Sequence, residues 1–467
     1  MQATEERKLE RDTICAISTP LGISGIGIIR LSGPDTYRII DRIFKPARKI
    51  KISEASSHTV HYGHIVDGTR IIDEVLVTIM KKPRSYTRED MAEIGCHGGI
   101  IPLKEVLALC IKNGARQAEP GEFTKRAFLN GRIDLTQAES VLEIIYSKTE
   151  KALDISMKKL KGGLSSHLLK IRELLIDILS DIEAKINFPE EDDVSNYNLD
   201  IVNKIEVALS NIEKILSRAG RGKIVQQGIN ATITGRTNVG KSSLLNALLK
   251  EERAIVTEIP GTTRDIIQET INIKGIPVNI IDTAGIRKVR GRIERMGVEK
   301  ALEWMNKAEI NLVMLDGSKR LNEYDHQLLE YVKDKKNYVL IINKNDLLQK
   351  IEREYIEKNF SQDKIVFLSA KTGKGIDILE EKLYNLIIDG YGEMKGDEIF
   401  LNIRQEGKIK EVREHLMKAR EDIVKGGTID ILAEYLKECI NILDELKGGN
   451  ISEEILDSIF SRFCIGK

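Results

Sequence analysis

The segment Gly235–Ser242 constrains the fold of this chain more than any other. It reads GRTNVGKS and fits the pattern G-x-x-x-x-G-K-[ST]. An apolar run, Ile229–Thr234, precedes it and an amphipathic run from Ser243 follows it, which predicts a strand, a glycine-rich turn and a helix. Such a turn offers backbone N–H groups and a positive helix end to phosphates, with Lys241 reaching the β- and γ-phosphates and the Ser242 hydroxyl holding Mg²⁺. The alternative is a tight glycine turn with a surface lysine.

Three further segments each follow an apolar run. Asp282-Thr-Ala-Gly285 places a carboxylate near the Mg²⁺ shell and a glycine N–H near the γ-phosphate. Asn343-Lys-Asn-Asp346 offers a carboxylate to the N1 and 2-amino groups of guanine, which adenine lacks. Ser369-Ala-Lys371 offers a backbone N–H to guanine O6. Together they predict a guanine-nucleotide hydrolase domain. The predicted GTP contacts in these four segments are Asn238, Val239, Gly240, Lys241, Ser242, Ser243, Asp282, Thr283, Ala284, Gly285, Asn343, Lys344, Asp346, Ser369, Ala370 and Lys371.

The residue after Gly285 is Ile286, where many small GTPases have a glutamine that orients the attacking water. Hydrolysis therefore needs another group to position water and another source of positive charge. Oxygen ligands in an irregular cage favour a large hard cation such as K⁺. The oxygens on offer are the Asn238 side chain, the carbonyls of Thr257 and Ile259, and Thr262 in the predicted switch Gly261–Asp265. Alternatively, Asn238 is a turn former bonded to its own loop.

Composition narrows the class of protein. Lys and Arg number 72 against 72 Asp and Glu, without a cationic tail, so tight binding of RNA by this chain alone is not expected. The 5 cysteines are scattered and odd in number, which favours a reducing compartment and argues against a zinc site. No apolar run reaches the ~18 residues of a membrane span, so we expect a cytoplasmic protein.

Hydrophobic periodicity divides the chain. Short β-branched runs up to about residue 130 predict an α+β domain, and apolar residues at helical spacing from Met157 to Ile182 predict a long helix. A second helix is predicted over Ile201–Leu216, before the nucleotide domain is entered through Gly220–Gly222, and helices return after Gly392. The apolar stripes of the two helical blocks predict that they pack together, as a bundle into which the α/β nucleotide domain is inserted.

Further motifs lie outside the nucleotide segments. They are Asp12-Thr-Ile-Cys-Ala-Ile-Ser-Thr-Pro20, Gly25-Ile-Gly-Ile-Ile-Arg-Leu-Ser-Gly33, Cys96-His-Gly-Gly99, Pro120-Gly-Glu-Phe-Thr-Lys-Arg-Ala-Phe128, Asp134-Leu-Thr-Gln-Ala-Glu139 and Phe463-Cys-Ile-Gly-Lys467. Through them the chain resembles the MnmE (TrmE) family of tRNA-modification GTPases over nearly its whole length. The last motif, which matches a C-x-G-K signature, is the most specific.

The resemblance implies a multidomain α+β and α/β fold. Residues 1–130 would form an α+β domain for dimerisation and tetrahydrofolate binding, 131–220 and 389–467 a helical bundle, and 221–388 an inserted P-loop GTPase (Ras-like) domain. It also implies that Ser242 and Thr263 hold Mg²⁺, and that K⁺ takes the place of an arginine finger. The implied K⁺ ligands are Asn238, Thr257, Ile259 and Thr262; Thr257, Thr262 and Thr263 would also contact GTP.

The resemblance assigns catalysis as well. Lys241 would act on the phosphates and Glu294 would orient the attacking water, although on sequence alone Glu294 could equally form a surface ion pair with Arg290 or Arg295. Arg30, Glu93 and Lys467 would contact 5-formyltetrahydrofolate or a related one-carbon folate. Arg132 would do so too, where relatives usually have lysine.

Two side chains beside these positions each have two possible roles. Cys464 is either a reactive thiol next to a cationic terminus or a buried inert cysteine. His97 is either catalytic or a loop histidine with a satisfied hydrogen bond.

The implied function is K⁺-dependent GTP hydrolysis by a homodimer. With an FAD-containing partner, MnmG (GidA), in a heterotetramer, it would modify C5 of the wobble uridine (position 34) of certain tRNAs, adding an aminomethyl or carboxymethylaminomethyl group. The alternative is a ribosome-assembly or regulatory GTPase acting as a binding switch. Such proteins carry a KH-like or basic RNA-binding appendage, for which this sequence shows no pattern.

Overall fold

The computed structural model describes residues 12–187, 194–250, 268–282, 294–394 and 396–467. The chain divides into two compact units. The first takes its described residues from Met1–Leu142, Leu160–Leu169 and Ile440–Lys467, and the second from Glu143–Lys159 and Lys170–Cys439. Among the described helices, none combines the length and the apolar character needed to cross a membrane.

The described secondary structure is as follows. The strands are β1 (Ile14–Ile17), β2 (Ile26–Ser32), β3 (Phe44–Pro46), β4 (Thr59–Asp67), β5 (Arg70–Met80), β6 (Met91–His97), β7 (Arg116–Gln117), β8 (Ile229–Thr234), β9 (Gln268–Ile273), β10 (Ile276–Asp282), β11 (Ile310–Asp316), β12 (Tyr338–Asn343) and β13 (Ile365–Phe367). The helices are α1 (Thr36–Ile43), α2 (Ile100–Lys112), α3 (Glu122–Leu129), α4 (Leu135–Ile145), α5 (Glu150–Leu160), α6 (Gly163–Asn187), α7 (Val194–Gln227), α8 (Lys241–Lys250), α9 (Glu294–Lys307), α10 (Glu323–Lys333), α11 (Arg353–Asn359), α12 (Ile376–Tyr391), α13 (Ile403–Val424), α14 (Ile429–Lys447) and α15 (Glu453–Phe460).

A seven-stranded sheet in the order β3-β4-β5-β6-β2-β1-β7 forms the centre of the first unit. Its pairs are antiparallel except β1 with β7. Strand β2 alternates as a half-covered strand should: Ile29 and Leu31 are fully buried in a core shared with α1 and α2, and Arg30 points to the other face. The β2–β6 register sets Arg30 directly opposite Glu93.

The sheet of the second unit has six strands in the order β13-β12-β11-β8-β10-β9. Its pairs are parallel except β9 with β10. Every residue of β11 is buried, as expected of a central strand covered on both faces. The chain therefore has an α+β unit and a doubly wound α/β sheet, which confirms the fold class expected from sequence.

Long helices accompany this sheet in the second unit. The single long helix predicted from Met157 to Ile182 is wrong, because α5 ends at Leu160 and α6 begins at Gly163, after Gly162 with φ +87°. The part of the stripe that lies on α6 is buried, including Ile171, Leu175, Ile178 and Ile182. Helix α7 packs along α13, with ion pairs between Arg413 and Glu213 and between Arg420 and Glu206 at its rim. We expected a helix that precedes the nucleotide domain to pack against a helix that follows it. The contact between α7 and α13 confirms this.

Helix α7 is longer than the sequence pattern predicted. It runs from Val194 to Gln227 and continues through Gly220 and Gly222, where a linker was expected. A Cβ at Gly222 would lie 2.1 Å from the Ile399 carbonyl oxygen, so this glycine admits a neighbouring backbone instead of breaking the helix. The helix therefore ends immediately before β8.

Lys148, which lies between α4 and α5, forms hydrogen bonds to both β9 and β10. Its Nζ donates to Thr270 Oγ1 at 3.2 Å and to Asn279 Oδ1 at 3.1 Å. Burial lowers the pKa of this amine. The contact holds the strand pair whose second member ends at Asp282, one of the predicted site residues.

Candidate functional site

The segments predicted to bind a nucleotide meet at one edge of the second unit's sheet. Strands β8, β10, β11, β12 and β13 run parallel, so the residues that follow them converge at their carboxyl ends. Strand β8 lies between β10 and β11, so the chain leads from β8 to one side of the sheet first and to the other side later. The carboxyl end of β8 is therefore a topological switch point. Open α/β sheets bind ligands in such a crevice.

The loop after β8 contains three residues with positive φ. Gly235 has φ +151°, Asn238 +59° and Gly240 +107°. A Cβ on Gly240 would lie 2.3 Å from Nδ2 of Asn343, so only glycine fits there. Lys241 begins α8, and its buried Nζ donates to the carbonyl oxygens of Gly235 and Arg236 at 2.6 and 2.9 Å. The lysine charge and the helix N-terminus therefore face the same loop.

The side chain of Asn343 joins three of the predicted segments. Its Nδ2 donates to the Val239 carbonyl oxygen at 2.7 Å, and its Oδ1 accepts from the Ala370 N–H at 2.9 Å. The buried amide thus fastens the loop after β12 to the phosphate loop and to the segment after β13. Lys344 reinforces the first connection, because its Nζ donates to the Asn238 carbonyl oxygen at 3.0 Å.

Asp346 is placed to accept hydrogen bonds from a base. Its carboxylate is exposed, and Oδ1 accepts from Ser369 Oγ at 2.6 Å. This hydrogen bond lowers the pKa of Asp346, as do, more weakly, the charges of Lys371 and Lys344. The group is therefore an ionised acceptor at neutral pH, held in position by Ser369.

Asn238 and Ser242 lie in the loop and in the first turn of the helix that follows it. Both are exposed, and the Asn238 side chain makes no hydrogen bond to any residue that the structure describes. The left-handed backbone of Asn238 is one that asparagine tolerates. The alternative of an Asn238 side chain bonded to its own loop is not observed.

Other predicted nucleotide and metal residues lie outside the described residues. They are Thr257, Ile259, Thr262, Thr263, Thr283, Ala284, Gly285 and Ile286. Asp282 ends β10 and Glu294 begins α9, which locates their backbones only. Ser243 lies in the first turn of α8, and Lys371 follows Ala370 on the surface.

A second polar cluster lies on the sheet of the first unit. Arg30 Nε donates to Glu93 Oε1 at 2.9 Å, and its Nη1 donates to the Gly466 carbonyl oxygen at 3.0 Å. The Arg30 guanidinium carbon lies 5.6 Å from the ring centroids of both Tyr86 and Phe123. A planar cation, a carboxylate and two aromatic rings can together bind a flat heteroaromatic ligand with hydrogen-bonding edges.

The segment that carries Gly466 is held by backbone contacts. Ile465 forms a β-bridge with Pro120, and the Lys467 carbonyl oxygen accepts from the Phe123 N–H at 3.1 Å. Phe463 is buried in an apolar cluster with Phe460. The predicted motifs Pro120–Phe128 and Phe463–Lys467 are therefore neighbours in space.

Lys467 and Cys464 border the same cluster. Burial and the positive charge of Arg30 lower the pKa of the Lys467 amine, with Glu93 and Cys464 acting in the opposite direction. The thiol of Cys464 is exposed, whereas Cys15, Cys96, Cys110 and Cys439 are buried. The interpretation of Cys464 as a buried cysteine was thus wrong, because only the adjacent Phe463 side chain enters the core.

Arg132 also contacts the Tyr86 ring of this cluster. Its guanidinium carbon is 4.6 Å from the Tyr86 centroid, and the Tyr86 hydroxyl is within 2.9 Å of Thr124 Oγ1. Arg30, Glu93, Arg132 and Lys467, which were predicted to share a site, are thus in one neighbourhood around Tyr86.

His97 forms a pair with a buried carboxylate. Its Nδ1 lies 2.6 Å from Asp73 Oδ1, its N–H donates to Asp73 Oδ2 at 2.8 Å, and 69% of its side chain is exposed. The hydrogen bond and charge of Asp73 raise the pKa of His97. The partner found for the ring agrees with a loop histidine whose hydrogen bond is satisfied.

Sequence reasoning missed three residues that organise these sites. Asp316 accepts from Lys344 Nζ at 2.7 Å, Tyr86 contacts both arginines, and Gly466 provides the carbonyl for Arg30. Asp316 could have been found from its position at the end of an apolar run, like Asp282. Tyr86 lies in a polar loop and carries no such signal.

Comparisons with known proteins cover the chain. A family described as the GTP-binding protein TrmE N-terminus matches residues 13–132, and one described as the MnmE helical domain matches residues 135–464. The tRNA modification GTPase MnmE of Alkaliphilus oremlandii is 44% identical over 459 residues, covering 98% of this chain and 99% of that protein. The protein of the same name from Carboxydothermus hydrogenoformans is 45% identical over 469 residues with the same coverage. That of Bacillus subtilis is 42% identical over 460 residues, covering 98% and 100%.

Proposed function

Because this chain belongs to the MnmE family of tRNA modification GTPases, we propose that it uses GTP hydrolysis to support modification of C5 of the wobble uridine of certain tRNAs. The membership confirms the resemblance inferred from sequence motifs, and the chain is a GTPase that takes part in tRNA modification. The observation that carries the nucleotide chemistry is the Asn343 bridge between the phosphate loop and the Ser369–Lys371 segment.

GTP binding follows from this arrangement. We propose that the phosphates lie over the loop from Gly235 to Ser242, with Lys241 neutralising the charge that develops on them. Guanine would be held by Asp346 through N1 and the 2-amino group, and through O6 by a backbone N–H of the Ser369–Lys371 segment. Mg²⁺ would be held by Ser242 and Thr263, with Asp282 near its shell.

A monovalent cation is the proposed substitute for an arginine finger. The exposed amide of Asn238, which makes no hydrogen bond to any described residue, supports this role, and Thr257, Ile259 and Thr262 would supply the other oxygens. K⁺ would provide positive charge next to the transferring phosphoryl group. Glu294, at the start of α9, would orient the attacking water in place of the missing glutamine.

The first unit would bind the one-carbon donor. We propose that Arg30, Glu93, Arg132 and Lys467 hold 5-formyltetrahydrofolate or a related folate, with Cys464 beside it. The Arg30–Glu93 pair offers donors and acceptors to a pterin edge, and Tyr86 and Phe123 offer it flat surfaces.

The proposed assembly is a homodimer formed by residues 1–130, joined by an FAD-containing partner that supplies redox chemistry. Apolar side chains exposed on the sheet of the first unit, including Ile26, Val60 and Leu76, support a protein–protein contact there. The helical segments 131–220 and 389–467 would connect this domain to the GTPase domain of residues 221–388. The proposed location is the cytoplasm.

The test is GTP turnover by the purified chain in K⁺ and in Na⁺ at equal ionic strength. We expect a large stimulation by K⁺ that Asn238→Ala removes, and we expect Glu294→Ala to bind GTP normally but to lose most turnover. Equal slow rates in both salts would refute the cation site and favour a binding switch. Unchanged turnover in Glu294→Ala would exclude that residue from positioning water.

A further inference from the structure

An open basic cleft of about 460 Å³ lies in the first unit. Three arginines, Arg84, Arg88 and Arg132, line it together with His58 and Tyr86, and none of its lining residues carries a carboxylate. Arg84 and Arg88 belong to the loop between β5 and β6, and Arg132 follows α3. In a chain with equal numbers of acidic and basic residues, this is a local excess of positive charge.

The acidic residues nearest in sequence are occupied elsewhere. Glu89 accepts from Ser32 Oγ at 2.6 Å and from Arg126 at 3.3 Å, and Asp90 accepts from the Lys82 N–H at 3.0 Å. Neither of them is among the residues that line the cleft.

The arginines themselves keep most of their donors available. The guanidinium groups of Arg84 and Arg132 form neither a hydrogen bond nor an ion pair with any residue in the described ranges. Arg88 makes one such contact, from Nη1 to the Asn130 carbonyl oxygen at 3.0 Å. Since each guanidinium carries five N–H groups, the cleft can form several charge-assisted hydrogen bonds to an anion.

The cleft adjoins the candidate folate cluster through Tyr86. The guanidinium carbon of Arg132, which lines the cleft, is 4.6 Å from the Tyr86 centroid, and that of Arg30, which holds Glu93, is 5.6 Å from the same centroid. A ligand bound to Arg30 and Glu93 can thus extend along the Tyr86 ring into the cleft.

We propose that the cleft binds the anionic tail of the folate, and that the chain prefers folates extended by γ-linked glutamates. This inference rests on the proposed folate site. A folate has a flat hydrogen-bonding ring at one end and glutamyl carboxylates at the other, and each added γ-glutamyl residue brings one more carboxylate. Arginine binds carboxylates in a bidentate manner, which suits Arg84, Arg88 and Arg132 to a run of them.

The test is calorimetric titration of the full chain with the monoglutamate and pentaglutamate forms of 5-formyltetrahydrofolate. We expect the pentaglutamate to bind about tenfold or more tightly than the monoglutamate, with the difference shrinking as salt screens the charges. The double variant Arg84→Gln/Arg88→Gln should lose this difference and bind the monoglutamate within about twofold of the unmodified chain. Arg48→Gln, an exposed arginine of the same unit outside the cleft, is the matched control.

Three outcomes would overturn the proposal. Equal affinity of the unmodified chain for the two ligands would exclude the tail from the cleft and leave the folate site standing. Absence of binding by both ligands would remove the folate site itself and the tail site with it. A preference for the pentaglutamate that survives in the double variant, together with weakened tRNA binding by that variant, would assign the cleft to RNA phosphates.

Discussion

Nη1 of Arg30 donates a hydrogen bond to the carbonyl oxygen of Gly466 at 3.0 Å, although the two residues are 436 positions apart in sequence. The same guanidinium pairs with Glu93 on the neighbouring strand. The contact therefore joins strand β2 to the segment that carries Cys464 and Lys467. These two residues thus lie beside the polar cluster that contains Arg30 and Glu93.

This relationship predicts a specific effect of Gly466→Ala. Gly466 has φ +93°, and a Cβ there would lie 2.6 Å from the Ile17 carbonyl oxygen. The backbone cost is about 1–2 kcal/mol, and the clash adds to it by displacing the segment. We expect 5-formyltetrahydrofolate binding to weaken at least about tenfold while GTP turnover is retained.

The matched control is Gly68→Ala in the same unit. Gly68 has φ +63° but no atom within 4 Å of an added Cβ, so it carries the backbone cost without the clash. Equal folate affinity in the two variants, measured by calorimetry, would show that the Gly466 contact does not shape the cluster.

Because the thiol of Cys464 is exposed, we expect its replacement to affect tRNA modification but not the stability of the fold. Because the side chain lies on the surface, Cys464→Ser should alter the free energy of unfolding by less than about 0.5 kcal/mol. GTP turnover and folate binding should stay unchanged, while modification of tRNA in the presence of the partner protein falls. Mass spectrometry of the modified nucleoside measures this, and full modification by the variant would make the thiol dispensable.

Asp346→Asn should change the base that the GTPase site prefers. The substitution replaces one acceptor with a donor, so guanine loses charge-assisted hydrogen bonds and its affinity should fall by about a hundredfold or more. Xanthine, which has an oxygen in place of the 2-amino group, should gain affinity. Fluorescent GDP and XDP analogues report both values.

Asn345→Ala is the control for this change, since Asn345 is an exposed neighbour whose N–H, retained in the variant, donates to the Leu368 carbonyl oxygen. If Asp346→Asn kept its preference for GDP, Asp346 would not be the group that reads the base.

A partly buried charge network predicts how the first unit responds to acid. Burial by itself would raise the pKa values of Asp12 and Glu122, but hydrogen bonds and charges from Arg116 and Arg126 lower both below their ordinary values of 3.8 and 4.5. A carboxyl whose pKa is lower in the folded state stabilises it fully above the ordinary pKa. That contribution is lost as the pH falls through the folded value. We therefore expect the unit to lose stability below about pH 4.5.

Glu122→Gln should remove much of this dependence. Glu122 is only 3% exposed and pairs with Arg116 and Arg126, so breaking the pairs should cost about 3 kcal/mol at pH 7. Calorimetry between pH 3.5 and pH 7 measures both effects. Glu119→Gln, an exposed carboxyl nearby, should behave like the unmodified chain; an identical acid profile for Glu122→Gln would contradict the network's role.

Much of the nucleotide site could be predicted from the sequence because each of its parts is local. A glycine-rich turn between a strand and a helix, or a carboxylate three residues after an asparagine, takes its conformation from contiguous residues. Parallel strands then bring such turns to one edge whatever lies between them. The sequence did not show that Asn343 bonds to Val239 and Ala370, because that choice depends on how the loops pack.

The helices show where local reasoning stops. The apolar stripe from Met157 to Ile182 was predicted, but the break between α5 and α6 at Gly162 was not, and Gly220 and Gly222 were interpreted as a linker. A glycine in a helical pattern can break the helix or admit a neighbouring backbone, and only the approach of Ile399 to Gly222 distinguishes the two.

The sequence by itself determined the fold class, most of the apolar stripes and the guanine-nucleotide motifs, since these depend on periodicity and on turns of a few residues. Tertiary structure decided that Arg30 meets Glu93 and Gly466, that Tyr86 contacts both Arg30 and Arg132, and that Cys464 is exposed while Phe463 is buried. The physical reason is that these contacts join segments far apart in the chain. Their meeting is set by sheet register and core packing, which no short pattern specifies.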